Sequence, residues 1–457
     1  MSACGSEKTG GDSVSASPSS SSSVSPSAAA SPSATAAPSS VTFSSSYYVA
    51  PAGDDSSDGS IDKPFKTIAK ALQLLKPGQR IYLREGTYSL TSKITLSGTG
   101  SSAGYYGIWG YPGESCILDF SGAASSYGIY ITGSFWYVKN LEVRHAPSSG
   151  IRITGNGNII ERCSIHDNGD AGLYIGISKG TAVNTDGSLA AWNQVVNCDS
   201  WLNYDPYGST GDGGNADGFA CKLNAGKGNV FRGCRAWENS DDGWDLYLTN
   251  FPVTMENCWT WRNGDPSSFR RPDATAVWSG NGNGFKVGGG SASKSNEYVS
   301  HAGHVLRNCI AFDTKYGNSS SVRAFDRNNN MSGVLMYNCL AFDSTVGFSF
   351  GTQPDDGTHH TLVNCVAYNC VTNISLSSEV IQSCNSWNIP GLTVSSSDFT
   401  NLLVSFAKTA RSSDGSLPGG FAKLVKGSVL IDKGTTYDGM LNAVIGTAPD
   451  LGPFECY

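Results

Sequence analysis

The chain has 457 residues, of which 39 % are hydrophobic, 15 % charged and 55 are glycine; this glycine-rich, charge-poor balance excludes a helical bundle, a coiled coil and a wholly disordered chain. Thirty-one Lys and Arg against 38 Asp and Glu leave a net charge of −7, so no general basic field exists to hold nucleic acid or anionic lipid, and a polyanionic ligand would need local cations. No apolar run approaches the ~20 residues of a membrane-spanning helix.

In chain order, the first segment is a tether. From Ser13 to Ser40, 25 of 28 residues are Ser, Ala or Pro and none is charged, so this stretch cannot offset its ordering entropy and is expected to be a disordered spacer. Met1-Ser2-Ala3-Cys4-Gly5, just before it, resembles the end of a bacterial lipoprotein signal, which implies a lipid on Cys4 and an exported protein. Residues 1–46 are read as anchor and linker, and 47–457 as one domain. Next, Lys66 to Leu75 carries Ile68, Leu72, Leu74 and Leu75 at helical spacing and is expected to cap the N-terminal edge of that domain.

A repeat then runs through the chain. Cys-x-x-aromatic, usually preceded by Asn, recurs at Asn197, Gly233, Asn257, Asn308, Asn338, Asn364 and Ser383, with a weaker copy at Arg162. A second unit follows, a small residue and then alternating apolar residues, at Ala171, Asp217, Asp242, Asn283, Arg323 and Val346. Two short strands per ~20–35 residues, with no helical pattern between them, predict a stacked solenoid, because one coil cannot bury its apolar face alone. The fold expected is all-β, a right-handed parallel β-helix. From about Ser395 the repeat fades, and that segment should pack along the outside.

Eight of the 13 cysteines fall in the repeat. In adjacent coils they should stack at ~4.8 Å as small apolar fillers. In-register neighbours on parallel strands have poor disulfide geometry, so mostly free buried thiols are expected. Asn168, Asn203, Asn239 and Asn263 each sit five residues after a repeat cysteine and should form a hydrogen-bonded ladder at one turn.

Alignment on the small residue of the second unit gives a register. Phe219, Trp244, Phe285 and Phe325 then point inward, and alternation sends Ala220, Asp245, Lys286 and Asp326 outward in successive coils. The position before the small residue reads Asp217, Asp242, Asn283 and Arg323. Asp217, Asp241, Asp242, Asp245 and Lys286 therefore converge on one face. The run from repeat cysteine to small residue is 9 residues at Cys163 and Cys234 but 20 at Cys198, 26 at Cys258 and 15 at Cys309; the extra residues should wall that face as loops. Asp217-Gly and Asp242-Gly are also ordinary turn pairs. Four carboxylates in one register, however, repel unless a cation lies between them, and aspartate oxygens suit Ca²⁺.

A cation beside a lysine points to one reaction. In a uronic-acid polymer, Ca²⁺ on the sugar carboxylate acidifies the α hydrogen at C5; a neutral amine can remove it while the 4-linked oxygen leaves. Lys286 would need a lowered pKa, which calcium and partial burial favour and Asp245 and Asp326 oppose. An alkaline optimum is expected.

NADGFACKLNAGKGNVFRGCRAWENSDDGWDLY, followed by NGNGFKVGG, resembles the family 9 polysaccharide lyases, as do YYVAPAGDDSSDGSIDKPFKTIAKAL, AFDRNNN, DGSLP and APDLGPFE. That resemblance implies a calcium-dependent pectate lyase in which Asp217, Asp241, Asp242 and Asp245 hold the ion and Lys286 is the catalytic base. The implied partner is an acidic plant cell-wall polysaccharide, polygalacturonate, taken by a secreted or cell-surface monomer. Lys222, on the outward face of Asp245, Arg270 and Arg271, in the longest inserted loop, and Asp326 are further candidates for binding the substrate. His301 and His304 stand three apart, which on a strand faces them oppositely, so zinc is not expected. GNGNGFKVGGG opens no helix and is no nucleotide loop. Three rival readings remain: a lyase acting on another uronate polymer, a glycoside hydrolase using two carboxylates, and a non-catalytic glycan-binding solenoid.

Overall fold

The computed structural model describes residues 41–177, 184, 186–290, 302–320 and 322–456. Cys4 and most of the linker lie outside the described residues. The first strand, Ser45–Val49, already includes Ser45 and Ser46, and Phe43 packs edge-on against Trp109 at 5.3 Å. The ordered unit thus takes in a few residues of the segment read as linker.

Among the described residues the strands form three parallel sheets of 12, 10 and 10 strands. After the first strand pair each sheet takes every third strand in chain order, so each turn of chain contributes one short strand to each sheet. The chain is therefore a parallel β-helix. One corner explains the repeat in the sequence. Asn197, Asn257, Asn308, Asn338 and Asn364 have φ between 51° and 56°, a left-handed conformation that Asn tolerates better than most residues. The cysteine after each Asn turns inward, which is why the pair recurs as a unit.

Seven thiols stack in this way: Cys163, Cys198, Cys234, Cys258, Cys309, Cys339 and Cys365 are all buried, and all twelve described cysteines are free. Cys384 departs from the expected register. Because Val363 pairs with Ser383, Cys384 falls at the corner with φ 51°. Asn385 takes the thiol's place and accepts the Cys365 N–H at 2.8 Å.

The asparagine ladder is present: Asn168, Asn203 and Asn239 each donate Nδ2–H to the Oδ1 of the next ladder residue, ending at Asn263, at 2.9, 2.8 and 3.1 Å. A second ladder, Asn158–Asn193–Asn229, was not read from the sequence; its bonds are 3.0 and 3.1 Å. On the inner face of the sheet that holds Phe219–Cys221, Trp244–Asp245 and Phe285–Lys286, called the third sheet, Phe219, Trp244, Phe285, Phe325 and Phe348 stack with centroids 4.8–5.1 Å apart. Each contact of this kind adds about 0.5–1.5 kcal/mol beyond burial, and the column fixes the register of everything on the outer face of the same strands.

The helix Ile68–Leu74 begins at Thr67, whose hydroxyl donates to Asp55 Oδ2 at 2.7 Å. Ile68, Ala71 and Leu75 are buried, whereas Leu74 is 39 % exposed and does not join the core. The C-terminal segment lies on the outside of the sheet that holds Arg235–Trp237, Trp259–Trp261 and Ile310–Phe312. Phe399, Ala407, Phe421, Leu424, Leu430 and Leu451 join Trp237, Trp259, Trp261, Phe312 and Phe342 in an apolar layer. Asp199 fastens it: Arg235 Nε and Nη2 donate at 2.8 and 2.7 Å, and Arg411 Nη2 and Nε at 2.6 and 3.0 Å.

Candidate active site

The outer face of the third sheet carries the candidate residues in the expected register. Phe219 pairs with Trp244, Trp244 with Phe285 and Phe285 with Phe325, so Ala220, Asp245, Lys286 and Asp326 are in-register neighbours. At the corner before these strands another ladder climbs. Asp217 Oδ1 accepts the Asp242 N–H at 3.3 Å. Asp242 Oδ1 accepts Asn283 N–H at 2.8 Å and Nδ2–H at 3.0 Å, and Asn283 Oδ1 accepts Arg323 N–H at 3.0 Å.

The ordinary turn role of these aspartates is thus real, but it uses one oxygen of each. Asn283 fills the same role in its coil with an uncharged amide, so the fold does not require charge at the corner. One carboxylate oxygen from each of Asp217, Asp242 and Asp245 lies within 4.8 Å of the others, all in buried residues. Asp241 is not part of this group. Its Oδ1 instead accepts the Asn281 N–H at 2.6 Å and fixes the end of the longest inserted loop.

Two lysines face the cluster. Lys222 Nζ donates to Asp217 Oδ2 at 2.6 Å and Asp245 Oδ2 at 2.8 Å. It is buried, and its ammonium is held between these two carboxylates. Lys286 Nζ lies 2.9 Å from Asp242 Oδ2, 3.8 Å from Asp245 Oδ2 and 3.4 Å from Asn281 Oδ1. Asp242 Oδ2 is buried and makes no hydrogen bond beyond this ion pair.

The electrostatics follow from four aspartates against two lysines. Burial, opposed by Lys222 and reinforced by Asp245, Asp241 and Asp242, pushes the Asp217 carboxyl well above its usual range. Burial and Asp242 push Asp241 up to about 8. Burial likewise raises Asp242, against the pull of Lys286. Burial would also raise Asp245, but Lys222 and Lys286 hold it low. Lys286 differs from expectation: burial works to lower it, yet Asp242, Asp245, Asp241 and Asp217 together hold it well above the ordinary lysine value. The nearest opponent is Asp242, not Asp326, because the corner ladder turns that carboxylate toward the amine. A cluster of hard oxygens with a surplus of negative charge, one of them without a hydrogen bond, fits a hard divalent cation such as Ca²⁺.

The inserted loops stand beside the cluster, as their lengths predict. They clasp one another: Tyr204 stacks on Phe269 at 4.8 Å and donates its hydroxyl to Asp212 Oδ1 at 2.6 Å, and Arg271 Nε donates to Asp212 Oδ2 at 2.7 Å. Arg271 thus joins the two loops through Asp212. Arg270 lines a separate open hollow of about 510 Å³ with Tyr204 and Phe269. Asp326 is buried beside Lys286, where its Oδ1 accepts the Asn328 N–H at 3.1 Å. His304 is buried, its Nδ1 accepts the Val253 N–H at 3.1 Å, and burial pulls its pKa down to about 3. His301 lies outside the described residues. Sequence reasoning missed Asn281; its signal was its position two residues before Asn283 in the NGNGFK run, where the loop must rejoin the sheet.

The sequence and the fold are similar to those of known proteins. Pectate lyase L of Dickeya dadantii is 36 % identical over 426 residues, covering 90 % of each chain. Among solved structures, pectate lyase Pel9A superposes with a TM-score of 0.78 at 34 % identity, over 91 % of this chain and 97 % of that one. A rhamnogalacturonan lyase superposes with a TM-score of 0.69 at 25 % identity, over 83 % of this chain and 96 % of that one. A family model described as "Pel9A-like, right handed beta helix region" matches residues 47–369, and the chain belongs to that family.

Proposed function

We propose that this chain is a pectate lyase that cleaves 1,4-linked galacturonan by β-elimination, with Asp217, Asp242 and Asp245 holding Ca²⁺, Asp241 beside them, and Lys286 as the base. The observation that carries the reading is the division of labour at the corner. One oxygen of Asp217 and of Asp242 completes the coil, while the other meets a lysine amine within a three-carboxylate cluster, a charge the fold itself does not need. The names of the relatives support galacturonan as the polymer.

When bound, calcium would draw electrons from the substrate carboxylate and so acidify the hydrogen at C5. Lys286 Nζ takes that proton. The C5–H electron pair becomes the C4–C5 double bond, and the C4–O4 bond breaks, releasing the leaving oxygen to acquire a proton. Asp242 and Asp245 aim the amine, and Asn281 Oδ1 limits its swing. Burial and bound calcium would lower the pKa of Lys286 while the carboxylates raise it, so the neutral fraction that can act grows with pH and turnover should favour alkaline conditions.

Replacement of Lys286 by Ala or Arg should abolish turnover while leaving calcium affinity within a few-fold of the parent. Retained turnover would remove Lys286 as the base. The proposal extends to an exported monomer, since such a polymer is too large to enter a cell, with a diacylglyceryl group on Cys4. Mass spectrometry of the native membrane fraction and light scattering of the purified chain test these two points.

A further inference from the structure

The run Ala324-Phe325-Asp326-Arg327-Asn328-Asn329-Asn330 has no part in the chemistry above, yet it is built with unusual care. Asn328 and Asn329 have φ of 41° and 58°. Asn328 Nδ2 donates to the Gly288 carbonyl at 3.0 Å, and the buried Asn330 donates to the carbonyls of Val287 at 3.0 Å and Ala302 at 2.8 Å. Two of these three bonds end on the residues that directly follow Lys286. The turn is therefore sewn to the strand that carries the base, and its side chains hold a fixed position relative to that amine.

What the turn presents is positive. Arg323 and Arg327 line a cavity of about 350 Å³ together with Asn328, Ser349 and Ser375. Asp326 is the acid there, and it is already engaged by the Asn328 N–H and by Arg323 Nη1, 3.5 Å from its Oδ2. Arg327 is half-buried and donates Nη1 to the Asn330 carbonyl at 3.3 Å. Among the described residues no carboxylate lies within ion-pairing distance of it. Burial and the neighbouring Arg323 lower its pKa against the pull of Asp326. A guanidinium half out of water, beside a second one, is the group that an incoming anion relieves, and its planar fork matches a carboxylate.

The register gives the place. Lys286 pairs with Asp326, Asp326 with Ser349 and Ser349 with Ser375, so the cavity begins one coil beyond the base and continues for about two more at ~4.8 Å each. A 1,4-linked uronate chain laid along the helix axis advances by a similar length per sugar. We propose that Arg323 and Arg327 form a carboxylate-binding subsite for the uronates next to the scissile bond, an inference that rests on the uronate-lyase reading of Lys286.

The test uses Arg327→Gln and Arg323→Gln, with Arg327→Lys as the conservative variant. On polygalacturonate the Gln variants should raise KM roughly 10- to 100-fold, the worth of one or two charged hydrogen bonds. On polygalacturonate of graded partial methyl esterification, which keeps cleavable free uronates but offers fewer neighbouring charges, the loss should shrink as esterification rises, and Arg327→Lys should recover part of the loss on the unesterified form. Calcium affinity, measured by titration calorimetry, should not move. An unchanged KM for polygalacturonate, or a loss that does not shrink with partial esterification, would overturn the subsite. Calorimetry with tetragalacturonate separates this from the underlying reading: binding equal in parent and Arg327→Gln sinks the subsite alone, whereas a parent that neither binds nor cleaves it sinks both.

Discussion

Asp242 offers the sharpest separation of fold from function, because its two oxygens do different work. Replacement by Ala removes the acceptor of the Asn283 N–H and Nδ2–H, at 2.8 and 3.0 Å. Both donors are then left buried, at about 1.5–3 kcal/mol each for bonds to a charged acceptor. Replacement by Asn keeps an Oδ1 in place. It loses the Lys286 ion pair at 2.9 Å, worth ~6 kcal/mol of attraction at an effective dielectric near 20. It also removes repulsion from Asp217 and Asp245, within 4.8 Å, worth ~7 kcal/mol together on the same scale. Where all three carboxyls are ionised these nearly cancel, so without calcium at alkaline pH the Asn variant should lie within about 1 kcal/mol of the parent and the Ala variant about 3–6 kcal/mol below it. With calcium at a hundred times its dissociation constant the parent should gain ~2.7 kcal/mol, and the Asn variant, with its affinity cut about a hundredfold, less than ~0.5 kcal/mol. Urea midpoints with and without calcium read both arms. An Asn variant that falls as far as Ala, or that gains as much from calcium as the parent, would refute the reasoning.

The raised carboxyls also predict how metal and proton compete. Asp217, Asp241 and Asp242 bind protons more tightly folded than unfolded, so without calcium their contribution to stability is present at low pH and lost as pH rises from about 4 towards 8. Calcium uptake near neutrality should release protons, seen as a calorimetric enthalpy that varies with the buffer's ionisation heat; an enthalpy independent of buffer would contradict it. Asp199 has the opposite sign. Burial would raise it, but Arg235 and Arg411 hold it low, so its stabilisation is present above about pH 4 and fades as pH falls through its folded pKa. Asp199→Asn should cost about 3–5 kcal/mol at neutral pH and progressively less below pH 4; a cost independent of pH would show that the arginines are not its partners in solution.

The sheet, the inward aromatic column and the outward row of Asp245, Lys286 and Asp326 were legible in the sequence. Parallel in-register strands have a side-chain period of two, so once Phe219, Trp244, Phe285 and Phe325 are aligned the opposite face is determined. Other features were not legible, because they depend on where a long side chain swings. Lys222 shares the expected face but folds back between two carboxylates, and Arg271 meets an aspartate 59 residues earlier in another loop. Cys384 kept the repeat's motif while the backbone register moved by one residue. Nor did the turn pairs Asp217-Gly and Asp242-Gly disclose that structural and ionic roles are shared between the two oxygens of each side chain.

The central claim is elimination at Lys286 under calcium, and it leaves a chromophore that hydrolysis cannot make. Polygalacturonate should be incubated with the protein at alkaline pH, with calcium in one arm and chelator in the other, while the ultraviolet absorbance of the conjugated 4,5-unsaturated product is followed. The account predicts a steady rise with calcium, none with chelator, recovery when calcium is returned, and no rise with Lys286→Ala. New reducing ends without absorbance, or absorbance indifferent to chelator, would contradict it.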